Sequence, residues 1–147
     1  MKGLLEICEE EQVFVSYQSL APDEGLLALF VRDHQGRPVI ILDETLPTQP
    51  RIERCVLAEE VGHYKTTGTG SIIIANFNYN SIVTMSKIET AALRWAVDQY
   101  LMPTPDFAEA VRKGRRDPKE LAEYFYVTLW VVWRKIHFLR QDVLNAF

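Results

Sequence analysis

Little in this chain suits an oxidising or membrane setting. Its 147 residues include two cysteines, Cys8 and Cys55, and no Cys-x-x-Cys pair. Reduced thiols in a cytoplasmic protein are the reading for so sparse a set. Long apolar runs are missing too. Gly25–Val31, Val39–Leu42 and Leu129–Trp133 are the longest, and all fall short of the ~20 residues that cross a bilayer. Met1 to Gln12 is acid-rich and short of apolar residues, unlike a signal peptide. There is no basic excess either. Sixteen Lys and Arg stand against twenty Asp and Glu, a net charge of −4, which argues against a protein built to coat nucleic acid. No repeat or low-complexity tract marks a boundary. A chain this long, 48% hydrophobic, is expected to be one domain over residues 1–147 with a substantial core.

What is present reads as short strands followed by helices. Lys2 to Glu11 has Leu4, Leu5 and Cys8 near one helical face. Val13 to Tyr17 reads as a strand, and Pro22-Asp23-Glu24-Gly25 as a turn. Leu26 to Arg32 and Pro38 to Leu42 flank a polar loop containing Gly36, the pattern of a β-hairpin. A helix is expected over Arg51 to Tyr64. Ser71 to Met85 shows no clear period and reads as a loop with at most a short strand. Ser86, with Glu89 three residues later, has capping-box spacing for a helix to Leu101. Its expected buried stripe is Ile88, Ala91, Ala92, Trp95, Ala96, Gln99 and Met102. Asp106 is expected to cap a helix to Val111, and Asp117-Pro118 to open the next by cap and first-position proline. A last helix is expected from Val127-Thr128 to Val143. The fold class is therefore α+β, a small sheet packed on a helical bundle.

The densest chemistry lies in Cys55-Val56-Leu57-Ala58-Glu59-Glu60-Val61-Gly62-His63-Tyr64. Zinc hydrolases often carry His-Glu-x-x-His on a helix, two ligands four apart with a general base between them. Here Glu59 takes the first position, Glu60 that of the base and His63 the last. Residues i and i+4 share a helical face, so Glu59 and His63 can grip one ion. Paired glutamates near a histidine also occur on solvated faces, but the apolar neighbours here do not suit an exposed face. Gly62 costs roughly 1 kcal/mol against Ala in a helix interior, which points to close approach by another backbone. A third ligand is needed, and Glu89 is the best candidate. An antiparallel return would bring it back over the first helix. Capping its own helix is the competing role for Glu89.

Taken in order, these segments resemble the ImmA/IrrE metallo-endopeptidases. A β-hairpin region precedes Ala58-Glu59-Glu60-Val61-Gly62-His63, similar to the family's Ala-His-Glu-x-x-His. Glu89-Thr90-Ala91-Ala92-Leu93-Arg94-Trp95-Ala96 is similar to its Glu-x-x-Ala-x-x-Phe-Ala, and Tyr100-Leu101-Met102-Pro103 to its closing Leu-Met-Pro. Leu121 to Thr128 matches a later Leu-Ala-x-x-Phe-x-Val-Ser segment, so the likeness runs roughly from Gly25 to Leu139. Trp95 for Phe is a packing change. Glu59 for the first histidine is chemical, and Glu-Glu-x-x-His is a variant within the family among phage and prophage proteins.

The resemblance implies peptide-bond hydrolysis with Glu60 as general base and a metal held by Glu59, His63 and Glu89. It implies a protein substrate, a helix-turn-helix repressor that silences a phage or mobile element. The alternative is a binding module of the same fold that grips such a repressor without cutting it. A second carboxylate ligand lowers the net charge of the complex, so the water's pKa should fall less than toward the ~7 of strong zinc hydrolases. Oxygen donors also admit Mn²⁺ or Fe²⁺ beside Zn²⁺. The segment Trp130 to Arg140 is basic and aromatic and follows a helix-turn-helix-like pattern. Its opening Leu129-Trp130-Val131-Val132-Trp133 suits burial better than base reading, so core packing with an Arg/Lys outer edge and no direct nucleic-acid contact is expected. His137 is expected to be a surface or half-buried histidine rather than a ligand.

Overall fold

The computed structural model describes residues 3–67 and 86–146. The loop expected over Ser71 to Met85 lies outside these. The fold is α+β. Helix α1 (Leu4–Glu10) leads into strand β1 (Phe14–Gln18), and strands β2 (Ala28–Arg32) and β3 (Pro38–Asp43) form the hairpin. Its loop turns on Gly36, at φ 80°. Asp33 braces that loop, accepting from the Gln35 and Arg37 amides and from Arg37 Nε. Strand β3 is central, antiparallel to β2 and parallel to β1. The pairing of β1 with β3 is long-range and left no local mark in the sequence.

Helix α2 (Pro50–Thr66) starts on a proline, whose missing N–H costs nothing in a first turn. Residues 55 to 63 are all buried, so α2 is enclosed on every side. Phe30, Ile40 and Leu42 of the sheet belong to the same apolar cluster as Val56, Leu57 and Val61 of α2 and as Leu93, Val97 and Leu101 beyond. Helix α3 (Lys87–Arg94) is capped by Ser86, which accepts the Glu89 amide. It runs into a π-helical segment, Trp95–Leu101, which closes with the Met102 amide on the Val97 carbonyl at 2.8 Å. From Trp95 on, the wider turn departs from a 3.6-residue period, while Ile88 and Ala91 lie on the outer side of α3 before it. Leu93, Val97 and Leu101 are buried with Ala92, Ala96 and Met102, whereas Ile88, Ala91 and Gln99 are exposed.

Helix α4 (Thr104–Arg112) begins after Pro103, without a side-chain cap. Asp106 therefore lies inside its first turn, where it complements the helix dipole, and does not cap it. Asp117 caps α5 (Pro118–Phe125) through the Lys119 amide, and Thr128 caps α6 (Leu129–Asn145) through the Val131 amide. Arg54 of α2 donates to the carbonyls of Phe125 and Tyr126, both at 3.0 Å, tying the end of α5 to the central helix.

Helix α6 buries Val131, Val132 and Phe138 as expected of a packing helix. Two residues depart from that expectation. Trp133 is exposed, because the buried face follows 131, 135 and 138. Lys135 is fully buried, its ammonium 2.9 Å from Asp98 Oδ1 and 2.8 Å from Thr104 Oγ1. It pins α6 to the π-helical segment and to α4. A buried cation is tolerated when it is paired in this way. Both cysteines are free and buried, and burial raises each thiol to about 11.

Candidate metal centre

Helix α2 presents Glu59 and His63 one turn apart, both buried. Helix α3 returns beside it and brings Glu89 over the pair. His63 Nε2 lies 3.3 Å from Glu89 Oε2. Glu59, His63 and Glu89 each offer one ligand atom, all within 4.8 Å of one another. Glu89 is half-buried and forms the solvent side of the group. Of the two roles weighed for Glu89, its carboxylate takes the one at His63, while the cap is made by the Ser86 hydroxyl on the Glu89 amide.

Gly62 explains how α3 comes so close. A Cβ at this position would lie 3.0 Å from the Ala92 carbonyl carbon, 3.2 Å from its Cα, and nearer still to its carbonyl oxygen. The backbone approach inferred from a glycine in mid-helix is therefore the contact that sets the α2–α3 spacing. Glu89 sits one turn before Ala92, so this spacing also positions its carboxylate.

The electrostatics are those of carboxylates held together without water. Burial first, then the charges of Glu60 and Glu89, hold the Glu59 carboxyl well above the usual range, and it shares a hydrogen bond with Glu89. Burial and then Glu89 do the same for Glu60. Arg134 of α6 acts on Glu59 in the opposite sense. Sequence reasoning placed Arg134 on an outer edge. Its signal is the i, i+4 series Trp130, Arg134, Phe138, whose two rings flank the guanidinium. His137 is exposed, as expected.

The donor set suits a divalent ion. Among the described residues, Glu59 Oε2, both oxygens of Glu60 and both ring nitrogens of His63 are buried without a hydrogen-bond partner. An unsatisfied buried polar atom costs about 1–3 kcal/mol, so five of them cost on the order of a domain's whole stability of 5–15 kcal/mol. Such a group is retained only if something else satisfies it. Two carboxylates and an imidazole converging within 4.8 Å match the three protein ligands of a catalytic metal site.

The model of the family described as the IrrE N-terminal-like domain, a peptidase family, matches residues 8–137. The chain belongs to this family. No curated protein and no solved structure matches the chain. Membership makes this a metallopeptidase-type protein, and a protease family implies a protein substrate. The ImmA/IrrE likeness read from the motifs is thus borne out, over a longer span than those motifs cover. Among the described residues, no helix is long and apolar enough to cross a membrane.

Proposed function

We propose that this IrrE-like domain, acting as one unit over residues 1–147, is a cytoplasmic metal-dependent endopeptidase that cuts a protein. Its substrate would be a helix-turn-helix repressor of a phage or mobile element. The observation that carries this reading is the knot of five unpartnered buried atoms on Glu59, Glu60 and His63 beneath the half-buried Glu89. Glu59, His63 and Glu89 would hold Zn²⁺, or Mn²⁺ or Fe²⁺ given the oxygen-rich set. A bound ion would supply Lewis-acid polarisation of the scissile carbonyl and of the attacking water.

The remaining chemistry belongs to the chain. Glu60 adjoins Glu59 on α2, has both oxygens free, and is enclosed. It accepts the proton of the attacking water and gives it to the leaving amine. A carboxyl held above its usual range is suited to both halves of that transfer, because its proton affinity lies nearer the working pH. The buried walls around α2 exclude water, which strengthens each of these charges. Glu89, at the open side, is the ligand nearest an arriving peptide.

Glu60→Gln tests the assignment. It should leave about one metal per chain and lower cleavage by ~10²–10⁴-fold, the range for losing a general base. Metal content is read by elemental analysis, and cleavage by gel with a co-expressed repressor. Equal loss of metal and activity would make Glu60 a ligand. Metal without cleavage in the wild-type protein would favour the repressor-gripping module instead.

A further inference from the structure

Strands β2 and β3 carry apolar runs without alternation, Ala28-Leu29-Phe30-Val31 and Val39-Ile40-Ile41-Leu42. Such runs suit strands covered on both faces. The described residues cover one. Ala28, Phe30, Ile40 and Leu42 are fully buried in the core shared with α2. Successive side chains on a strand point to opposite faces, so the residues between them form the outer face. There Leu29 stands opposite Ile41 and Val31 opposite Val39, and Phe14 of β1 lies beside Val39. Leu29, Val31, Val39 and Ile41 are half-buried, and Phe14 is 67% exposed. None of the five belongs to the apolar core or to the residues packed against it. The outer face is thus one apolar surface spanning all three strands.

Its two ends differ in charge. The hairpin loop brings Arg32 and Arg37 to one end, where they outnumber Asp33. The opposite end is where Asp43 takes the Leu20 amide and gives its own to the Leu27 carbonyl. The β1–β2 connection and the residue after β3 place Asp23, Glu24 and Glu44 there, all exposed.

We propose that this face seats a second copy of the chain, stacked sheet on sheet about a two-fold axis that runs across the strands. A two-fold contact needs a patch that is complementary to itself. This axis sets the basic end of each copy over the acidic end of the other, whereas an axis along the strands would set like charges together. Aligned sheets stack in this manner with their inner side chains interdigitated. Strands of five or six residues, about 3.3 Å per residue and about 4.8 Å apart, make a face on the order of 14 by 18 Å. Even with the flanking loops it falls short of the ~800 Å² per partner of a standard interface, so the pair is weak, with a Kd on the order of 10–100 µM. Helix α2 lies behind the opposite face, so both metal centres stay open in the pair.

Sedimentation equilibrium of the full chain, from about 5 to 500 µM to bracket that Kd, tests the proposal. The expected result is a reversible monomer–dimer equilibrium that Ile41→Lys weakens at least ~10-fold by setting a charge in the apolar contact. Strand β3 is central, so a pair formed through the edge of β1 would not respond to Ile41→Lys. Val31→Lys takes its place if circular dichroism shows that the Ile41 variant does not fold. Glu24→Lys alone should weaken the pair, and adding Arg37→Glu should restore it, because the double exchange reverses both ends. A chain that stays monomeric throughout, or a dimer that Ile41→Lys and Val31→Lys leave intact, would overturn the proposal and leave the face to a different occupant. A double charge variant no tighter than Glu24→Lys would overturn the two-fold arrangement.

Discussion

Adding one methyl group at Gly62 should damage the metal centre far more than the fold. In Gly62→Ala the new Cβ would stand 3.0 Å from the Ala92 carbonyl carbon and 3.2 Å from Cα, with the oxygen closer. Carbon atoms rest at about 3.5–4.0 Å and the carbonyl oxygen is the tightest contact, so α2 and α3 must part by on the order of 1 Å or more. Over-packing of this kind costs about 1–3 kcal/mol, while Ala regains about 1 kcal/mol of helix propensity. The net loss is about 0–2 kcal/mol, no more than roughly 4–8 °C in the melting temperature of a domain this size. Glu89 moves with α3, away from a His63 nitrogen now 3.3 Å distant. Zinc affinity should fall on the order of 10–100-fold, as when ligand geometry is disturbed. The assay pairs thermal unfolding in chelator with Zn²⁺ affinity by competition. Gly3→Ala is the control, since nothing lies within 4 Å of a Cβ there. A Gly62→Ala protein that melts higher than wild type and binds zinc equally well would refute the argument that this contact sets the site.

Other perturbations probe the charges of the site. Glu59→His should tighten Zn²⁺ binding and lower the pH of half-maximal cleavage, because a neutral imidazole returns positive charge to the complex and strengthens its pull on water; an unchanged affinity and pH–rate profile would remove Glu59 from the ligand set. The chelated protein should lose stability as pH rises. Glu59 and Glu60 titrate well above the ordinary 4.5 when folded, so the folded state keeps protons that the unfolded chain releases. That stability is fully present below about 4.5 and is lost as pH climbs toward the raised values, each tenfold change in proton affinity being worth about 1.4 kcal/mol. Melting temperatures in chelator should therefore fall as pH rises above about 4.5, and excess Zn²⁺ should flatten the slope; a rising curve in chelator would contradict the burial of these carboxyls. Generic duplex DNA should bind weakly or not at all, given the −4 charge and the packing role of α6; a gel shift at sub-micromolar protein and physiological salt would overturn this.

Features of this protein legible from sequence were local ones. Ser86, Asp117 and Thr128 each cap the helix they precede, because a cap is decided within three or four residues. Glu59 and His63 converge because four residues on one helix cannot do otherwise. Gly62 announced a close contact by its cost, although not with which atom. The π-helical segment was not legible. Within it Gln99 is exposed, and nothing in the local sequence marks the change of period. Nor were Lys135 and Arg134. On composition they belong to a basic outer edge, but Asp98 and Thr104 draw one inward and Trp130 with Phe138 hold the other.

The same division bears on the altered motif. Spacing along α2 says that residues 59 and 63 can share an ion, and that statement holds for Glu and His alike. Whether a carboxylate can stand at 59 depends on what lies behind it. A lone buried carboxylate beside Glu60 and Glu89 would simply keep its proton, since desolvation and two like charges all favour the neutral form. Arg134, on a helix that begins seventy residues later in the chain, pulls the other way, but less strongly than burial and the two carboxylates. The motif therefore cannot be judged intact or decayed from its own residues. In this chain the balance of burial, Glu60 and Glu89 against Arg134 leaves the Glu59 carboxyl raised, so a bound ion would have to displace a proton that the metal-free site holds.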